Sequence, residues 1–365
     1  MTRGQLLGRI AGASALLVVA VLMATFYVFR RAGSAPELSR YGIAAGSQLP
    51  WMSSTDQGHF LDLMQQAGAK VLRFDIDWQS IQADGPASYN WSAQDAVVHD
   101  APARGISIIG TIAYTPTWAR PSSTDAFNPP THTSDYANFC AASARHYGPM
   151  GVHAFEVWNE PNISGFWKPA PDVVRYTQML KGCYTAIKAV DPSDIVITGG
   201  TAPAGFYDNS GSPTTVNAIN WLAGIYANGG QGYFDAVGHH PYTFPYVPST
   251  VANWSAWYQM ADTSPSLRSV MIAHGDGNKQ IWATEWGTPT NGPTGSGYVS
   301  EAAQAAQIGE AYALWKTYPW AGPLCYYNFV DDGTTTDTIE NFFGLIRNDW
   351  TLKPGYTAYK NAAAG

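Results

Sequence analysis

The stretch His153-Ala154-Phe155-Glu156-Val157-Trp158-Asn159-Glu160-Pro161 is a short apolar run that breaks into aromatic and polar residues and stops at a proline. A helical pattern from Val173 to Val190 follows it, and a new β-branched run starts at Ile195. Run, loop, helix, run is the signature of two parallel strands, which need a crossover to point the same way. The pattern recurs along the chain. Runs begin near Tyr41, Lys70, Ser107, His153, Ile195, Phe234, Gln280 and Pro323, on average about 40 residues apart, a generous length for one βα unit. Further helical patterns lie at Gly58 to Gly68, Asp135 to Tyr147 and Glu301 to Lys316. Eight units predict an α/β fold, a single-domain (β/α)8 barrel over residues 41–365, with no room for a second folded domain.

In such a barrel the active site lies at the C-terminal ends of the strands. Two glutamates fall there: Glu160 after the fourth run, and Glu285 in Ile281-Trp282-Ala283-Thr284-Glu285-Trp286-Gly287 at the seventh. Alone, either reads as a solvated or ion-paired loop residue. Together, each flanked by tryptophan at converging strand ends, they read as a paired-carboxylate site. A sugar acetal has a weakly basic leaving oxygen and an unstable cationic transition state, so its hydrolysis needs a proton donor on one side and a carboxylate on the other. Alternation puts His240 and Tyr242 on one face of their strand, and Arg73, Asp75 and Asp77 on one face of theirs. Asn159 and Glu160 are neighbours, so both can face inward only if the chain twists or bulges between them.

Composition narrows the partners. The 365-residue chain is 13% charged with a formal net charge of -7, and its main body has no Lys/Arg cluster, which speaks against nucleic acid. Its three cysteines match no metal-ligand spacing, and His239 and His240 face opposite sides of a strand, so neither a metal nor a cofactor is expected. Residues 10–29 run from Ile10 to Phe29 without a charge, flanked by Arg3 and Arg9 before and Arg30 and Arg31 after. At about 1.5 Å per residue this stretch matches a bilayer core of about 30 Å. It is expected to be a transmembrane anchor or an uncleaved signal behind the flank 1–9, with 30–40 as a linker. The catalytic part is then membrane-anchored and extracytoplasmic, or secreted if the segment is removed at the small residues Ala32 to Ala35.

Trp158-Asn159-Glu160-Pro161 and Thr284-Glu285-Trp286-Gly287 resemble the acid/base and nucleophile motifs of the clan A retaining glycoside hydrolases, and are most similar to the cellulase- and xylosidase-like families 5 and 39. The likeness extends through Val71 to Trp78, Ala113 to Ala119, Gly238 to Tyr242, and Phe343 to Ile346. It implies a retaining glycosidase that cuts β-linked bonds of an oligo- or polysaccharide through a covalent glycosyl-enzyme. Glu160 would be the acid/base and Glu285 the nucleophile, with Asn159 on the sugar 2-hydroxyl and Arg73 and Tyr242 beside the nucleophile. A cation next to Glu285 favours its ionised form, and that charge in turn favours a protonated Glu160. The tryptophan usual on the eighth strand is replaced by Cys325-Tyr326-Tyr327-Asn328-Phe329.

Sugar C–H faces stack on aromatic rings, and Trp78, Tyr114, Trp118, Trp158, Trp167, Trp286, Tyr327 and Phe329 all follow strand ends. Trp286, next to the nucleophile, is the expected sugar platform. His240 is either a site residue or a satisfied core histidine. Cys140 and Cys183 fall on helices that neighbour each other in a barrel and would either pair as a disulfide or pack as separate thiols. The fold and its aromatics would also suit a non-catalytic membrane-anchored glycan-binding protein, and the same intermediate would suit a transglycosylase acting on cell-envelope glycans.

Overall fold

The computed structural model describes residues 38–203, 214–292 and 297–365. The expected flank, the expected anchor at 10–29 and most of the linker lie outside the described residues. No helix among the described residues is long and apolar enough to cross a membrane.

Eight parallel strands close into a barrel in chain order. They are β1 (Tyr41–Ala44), β2 (Val71–Asp77), β3 (Ser107–Ala113), β4 (Ala154–Val157), β5 (Ile195–Thr198), β6 (Ala236–His239), β7 (Gln280–Trp286) and β8 (Ala321–Tyr327). Closure is made by β8 on β1, in register from Tyr41 opposite Leu324 to Ala44 opposite Tyr327. The strands stand out in the sequence because a parallel strand here is buried on both faces and reads as a nearly unbroken apolar run.

Helices cover the outside, the longest being α1 (Ser54–Gln66), α2 (Ser92–Ala103), α3 (Thr133–Tyr147), α4 (Val173–Val190), α5 (Ala218–Ala227), α6 (Leu267–Ala273), α7 (Glu301–Thr317) and α8 (Pro354–Ala364). Caps set their starts. The Ser53 hydroxyl accepts from Asp56 N at 3.1 Å, which begins α1 four residues before the expected Gly58. Asp172 caps α4 in the same way, accepting from Arg175 N at 3.0 Å. Both fill backbone donors that the first turn of a helix leaves unpaired.

The barrel's lower interior is an apolar plug with one side chain from each strand: Ala44, Val71, Ile109, Ala154, Ile197, Ala236, Trp282 and Cys325. A larger apolar layer fills the space between strands and helices. Everything polar in the barrel therefore sits above the plug, toward the strands' C-terminal ends. Cys140 on α3 and Cys183 on α4 form a disulfide, so the paired alternative holds, while Cys325 is a buried thiol in β8. The bridge spans 43 residues, and a closed loop of that size stabilises a fold by about 2–4 kcal/mol. Replacing both cysteines by serine is expected to lower unfolding stability by that amount, measured by urea denaturation, with little change in KM.

Candidate active site

Above the plug a cleft of about 330 Å³ opens at the C-terminal ends of the strands. Arg73 and Asp75 reach it from β2, Tyr114 from just past β3, and Asn159 and Glu160 from just past β4. Tyr242 comes from the loop after β6, Glu285 from β7 and Tyr327 from β8. Two consecutive residues enter from β4 because the backbone is left-handed on both sides of Asn159, with φ +73° at Trp158 and +43° at Glu160. Non-glycine residues adopt that conformation rarely and at some cost. The amide of Glu160, which donates to Gly200 O at 3.0 Å, helps to hold it.

Arg73 organises the floor, 1% exposed, with every arm of its fork engaged. Its Nε donates to Glu156 Oε2 at 2.7 Å, Nη2 to Asn159 Oδ1 at 2.7 Å, and Nη1 to Glu285 Oε1. Burial disfavours its charge, but Glu156, Glu285 and Asp75 outweigh that and keep the guanidinium cationic. Tyr242 donates its hydroxyl to the other oxygen of Glu285 at 2.9 Å. Glu285 is thus gripped on both oxygens and still 12% exposed to the cleft.

Across from it, His240 Nδ1 lies 2.9 Å from Glu160 Oε1 and 3.6 Å from Glu285 Oε2. His240 Nε2 lies 3.1 Å from Thr284 Oγ1, and that hydroxyl gives its own proton to Glu156 Oε1 at 2.7 Å. Nε2 must therefore be the donor toward Thr284, which leaves Nδ1 and Glu160 sharing one proton. Burial pushes the Glu160 carboxyl above the ordinary range, and the charge of Glu285 adds to this against the opposing His240 hydrogen bond. Burial thus ranks ahead of the neighbouring carboxylate as the cause. Burial lowers His240, but the charge of Glu285 and the bond to Glu160 prevail and raise it. One donor atom from each of Glu160, His240 and Glu285 lies within 4.8 Å of the others. The core histidine is its neighbour His239, paired with Thr201 Oγ1 at 2.8 Å and pushed down to about 3 chiefly by burial.

A third glutamate completes the network and went unnoticed in the sequence. Glu156, in the middle of β4, is fully buried and accepts from Arg73 Nε, from Thr111 Oγ1 at 2.7 Å, from Thr284 Oγ1 at 2.7 Å and from Gly200 N at 2.9 Å. Burial alone would raise its carboxyl, but Arg73, His240 and the two hydroxyls hold it below the usual range. The available signal was a charged residue inside a buried strand, which needs an inward partner such as Arg73. Gly200 is fixed by the same crowding, since a Cβ there would stand 2.2 Å from His240 Nε2 and 2.6 Å from Thr284 Oγ1.

Two expected site residues lie elsewhere. Trp286 is no sugar platform: it is 2% exposed and packs edge-to-face against Trp257, Tyr312 and Tyr326 outside the barrel wall. Between Ala283 and Trp286, β7 advances three residues against two on β8. That extra residue lets Thr284 and Glu285 both turn inward and sends Trp286 out. Trp118 does not line the cleft either; its Nε1 donates to Gln82 O at 2.7 Å and its ring meets Trp78 edge-on. Trp78, Trp158, Trp167 and Phe329 are core residues, at most 1% exposed. Asp77 caps the short helix Trp78–Ile81 instead of facing the mouth. Of the expected aromatics, Tyr114 and Tyr327 line the cleft, Tyr327 standing on β8 where a tryptophan is usual. Phe166, Phe244 and Phe343, on loops or turns, and Glu340, in the short 3-10 helix Ile339–Phe342, also line it.

The description Cellulase (glycosyl hydrolase family 5) matches residues 37–319. A family 39 glycoside hydrolase from the gut symbiont Bacteroides cellulosilyticus WH2 superposes with a TM-score of 0.67 at 25% identity, covering 90% of this chain. The chain spans only 65% of that protein's length. A monomeric beta-xylosidase from Caulobacter crescentus CB15 gives 0.66 at 20% identity, over 90% of this chain and 69% of the other. GH5_18 from Streptomyces cattleya, in complex with GlcNAc, gives 0.64 at 16% identity over 90% and 80%. No curated protein matches. With the family description covering most of the barrel, the chain belongs to the cellulase family, glycosyl hydrolase family 5.

Proposed function

We propose that the chain hydrolyses β-linked O-glycosidic bonds of an oligo- or polysaccharide with retention of configuration, Glu160 as acid/base and Glu285 as nucleophile. The observation that carries this reading is the approach of one oxygen of each carboxylate to within 4.8 Å of the other. Retaining enzymes hold the pair about 5–5.5 Å apart, whereas inverting enzymes leave about 6.5–9.5 Å for a water between them. In the first step Glu160 gives its proton to the leaving oxygen while Glu285 forms an ester with the anomeric carbon. Esterification cancels the charge of Glu285, so Glu160 then takes a proton from water as the new hydroxyl displaces the ester. Arg73 and Tyr242 aim the nucleophile, Asn159 faces the sugar 2-hydroxyl and Tyr114 forms a wall. An activated 2-deoxy-2-fluoro β-glycoside should trap the ester, raising the intact mass by one glycosyl unit on the peptide that carries Glu285. A label on another residue, or a product of inverted configuration by NMR, would overturn the scheme.

The proton shared with His240 also sets a pH limit. Activity should fall on the alkaline side as Glu160 loses its proton, and because burial raises that carboxyl, the limb should lie above the ordinary carboxylate range. The profile of kcat/KM checks this, and Glu160→Gln should remove the limb along with most activity on unactivated substrates.

We further propose an extracytoplasmic location, anchored by residues 10–29. The disulfide between Cys140 and Cys183 supports it, since such bridges persist in oxidising compartments.

A further inference from the structure

Asp75 stands two residues beyond Arg73 on the same face of β2, lines the cleft and is 5% exposed. A carboxylate buried that deeply is ordinarily surrounded by donors, because an unsatisfied one costs several hydrogen bonds' worth of lost solvation. Among the described residues no donor makes a hydrogen bond to the side chain of Asp75. The nearest cation makes none, since the nitrogens of Arg73 are aimed at Glu156, Asn159 and Glu285. Burial accordingly pushes the Asp75 carboxyl up to about 7, against the pull of Arg73 and with Asp77, Glu285 and Glu156 adding to the rise. The phenols of Tyr114 and Tyr327, which also face it, are neutral. At the mouth of the same cleft Glu340 adds a further acid, and Arg73 is the one Lys or Arg among its described lining residues.

We propose that Asp75 is a specificity-determining residue, whose open carboxylate oxygens receive two hydroxyls of the sugar in the cleft, and that the class of glycone accepted is neutral, with uronic acids excluded. The proposal rests on the glycosidase reading above and deepens it. A carboxylate offers acceptors on both oxygens in one plane, which suits a vicinal hydroxyl pair. The aromatic faces around it supply stacking but few polar partners. A sugar carboxylate would meet Asp75 and Glu340 with no free cation to offset the repulsion.

The test uses 4-nitrophenyl β-D-glucoside, its 3-, 4- and 6-deoxy analogues, and the β-D-glucuronide, measured by kcat/KM and by calorimetric binding to Glu285→Gln. Asp75→Asn, nearly isosteric, and Asp75→Ala are each expected to lose roughly 10–100-fold on the glucoside. The loss should shrink for the deoxy analogues that already lack one of the two partner hydroxyls and stay full for the others. Wild type should bind the glucuronide at least 10-fold more weakly than the glucoside, and Asp75→Asn should narrow that gap. Equal losses on every deoxy analogue, or an unchanged glucuronide gap, would overturn the proposal. Fluoroglycoside trapping at Glu285 separates the two readings. Normal trapping with no coupling to any hydroxyl sinks only the role of Asp75, whereas absent trapping with intact coupling in the binding measurements sinks only the retaining scheme.

Discussion

Glu285→Ala should lower kcat on a glycoside by roughly 10⁵-fold, the scale on which a hydrolase loses rate when its nucleophile is removed. The fold should survive, because Arg73 keeps Glu156 and Asn159 as partners when Glu285 is gone. What remains is a small space between the Arg73 guanidinium and the Tyr242 hydroxyl, both aimed at the missing carboxylate. Added azide fits that space and charge, and on a dinitrophenyl β-glycoside, whose leaving group needs no proton, it should restore turnover. Attack from the nucleophile's side must give the α-glycosyl azide. Glu160→Ala should behave in the opposite sense, since there the glycosyl-enzyme still forms and azide enters from the acid/base side, giving the β-glycosyl azide. NMR of the two products therefore assigns the two glutamates independently of any rate. If the anomers came out exchanged, the roles of Glu160 and Glu285 would have to be exchanged too, and unimpaired hydrolysis by Glu285→Ala would remove it from the chemistry altogether. A glycan-binding protein without turnover would yield neither azide.

The barrel was legible in the sequence because burial on both faces gives each parallel strand a dense apolar run, and the runs near Ser107, Ile195 and Gln280 begin where the strands do. The polar cluster was legible for the related reason that a charged residue closing such a run is conspicuous, as at Glu160 and Glu285. What escaped was orientation. Trp286 directly follows Glu285, and only the extra residue in β7 decides which of the two faces the cleft. Aromatic residues at strand ends serve both the cleft and the core behind it, so Tyr114 and Trp158 look alike in sequence, yet the first lines the cleft and the second is buried against it. Glu156 was hidden by the apolar run around it. Phe244 and Phe343 reach the cleft on loops or turns, and Glu340 on a short 3-10 helix within one, whose path no local periodicity dictates. Asp75 was placed on the right face by alternation, but its lack of a partner is a property of three dimensions, visible only once Arg73 is seen to aim its nitrogens at Glu156, Asn159 and Glu285.

Glu156→Ala should destabilise the barrel by about 3–5 kcal/mol, the usual cost of removing one partner from a buried ion pair. Its carboxylate takes four hydrogen bonds with no exposure to solvent, so its loss strands the Arg73 Nε, the Thr111 and Thr284 hydroxyls and the Gly200 amide together. Urea unfolding measures the cost directly. Activity should fall as well, although Glu156 does not line the cleft: Arg73 holds Asn159 and Glu285, and Thr284 holds His240 against Glu160. Glu156→Gln distinguishes charge from shape. It keeps the volume and one acceptor, but turns an amide toward groups that themselves donate, so it should cost less than alanine in stability while still weakening the grip of Arg73 on the floor. The decisive comparison is the double variant Glu156→Leu with Arg73→Met, which replaces the buried pair by apolar groups of similar size. Such exchanges are often neutral or stabilising, so the double variant should recover stability relative to Glu156→Ala without recovering kcat. Recovery of both would mean that the pair serves packing alone. A cost below about 1 kcal/mol for Glu156→Ala, less than a single buried hydrogen bond to a charged group is worth, would mean that the polar layer beneath the two catalytic carboxylates is not held together through Glu156.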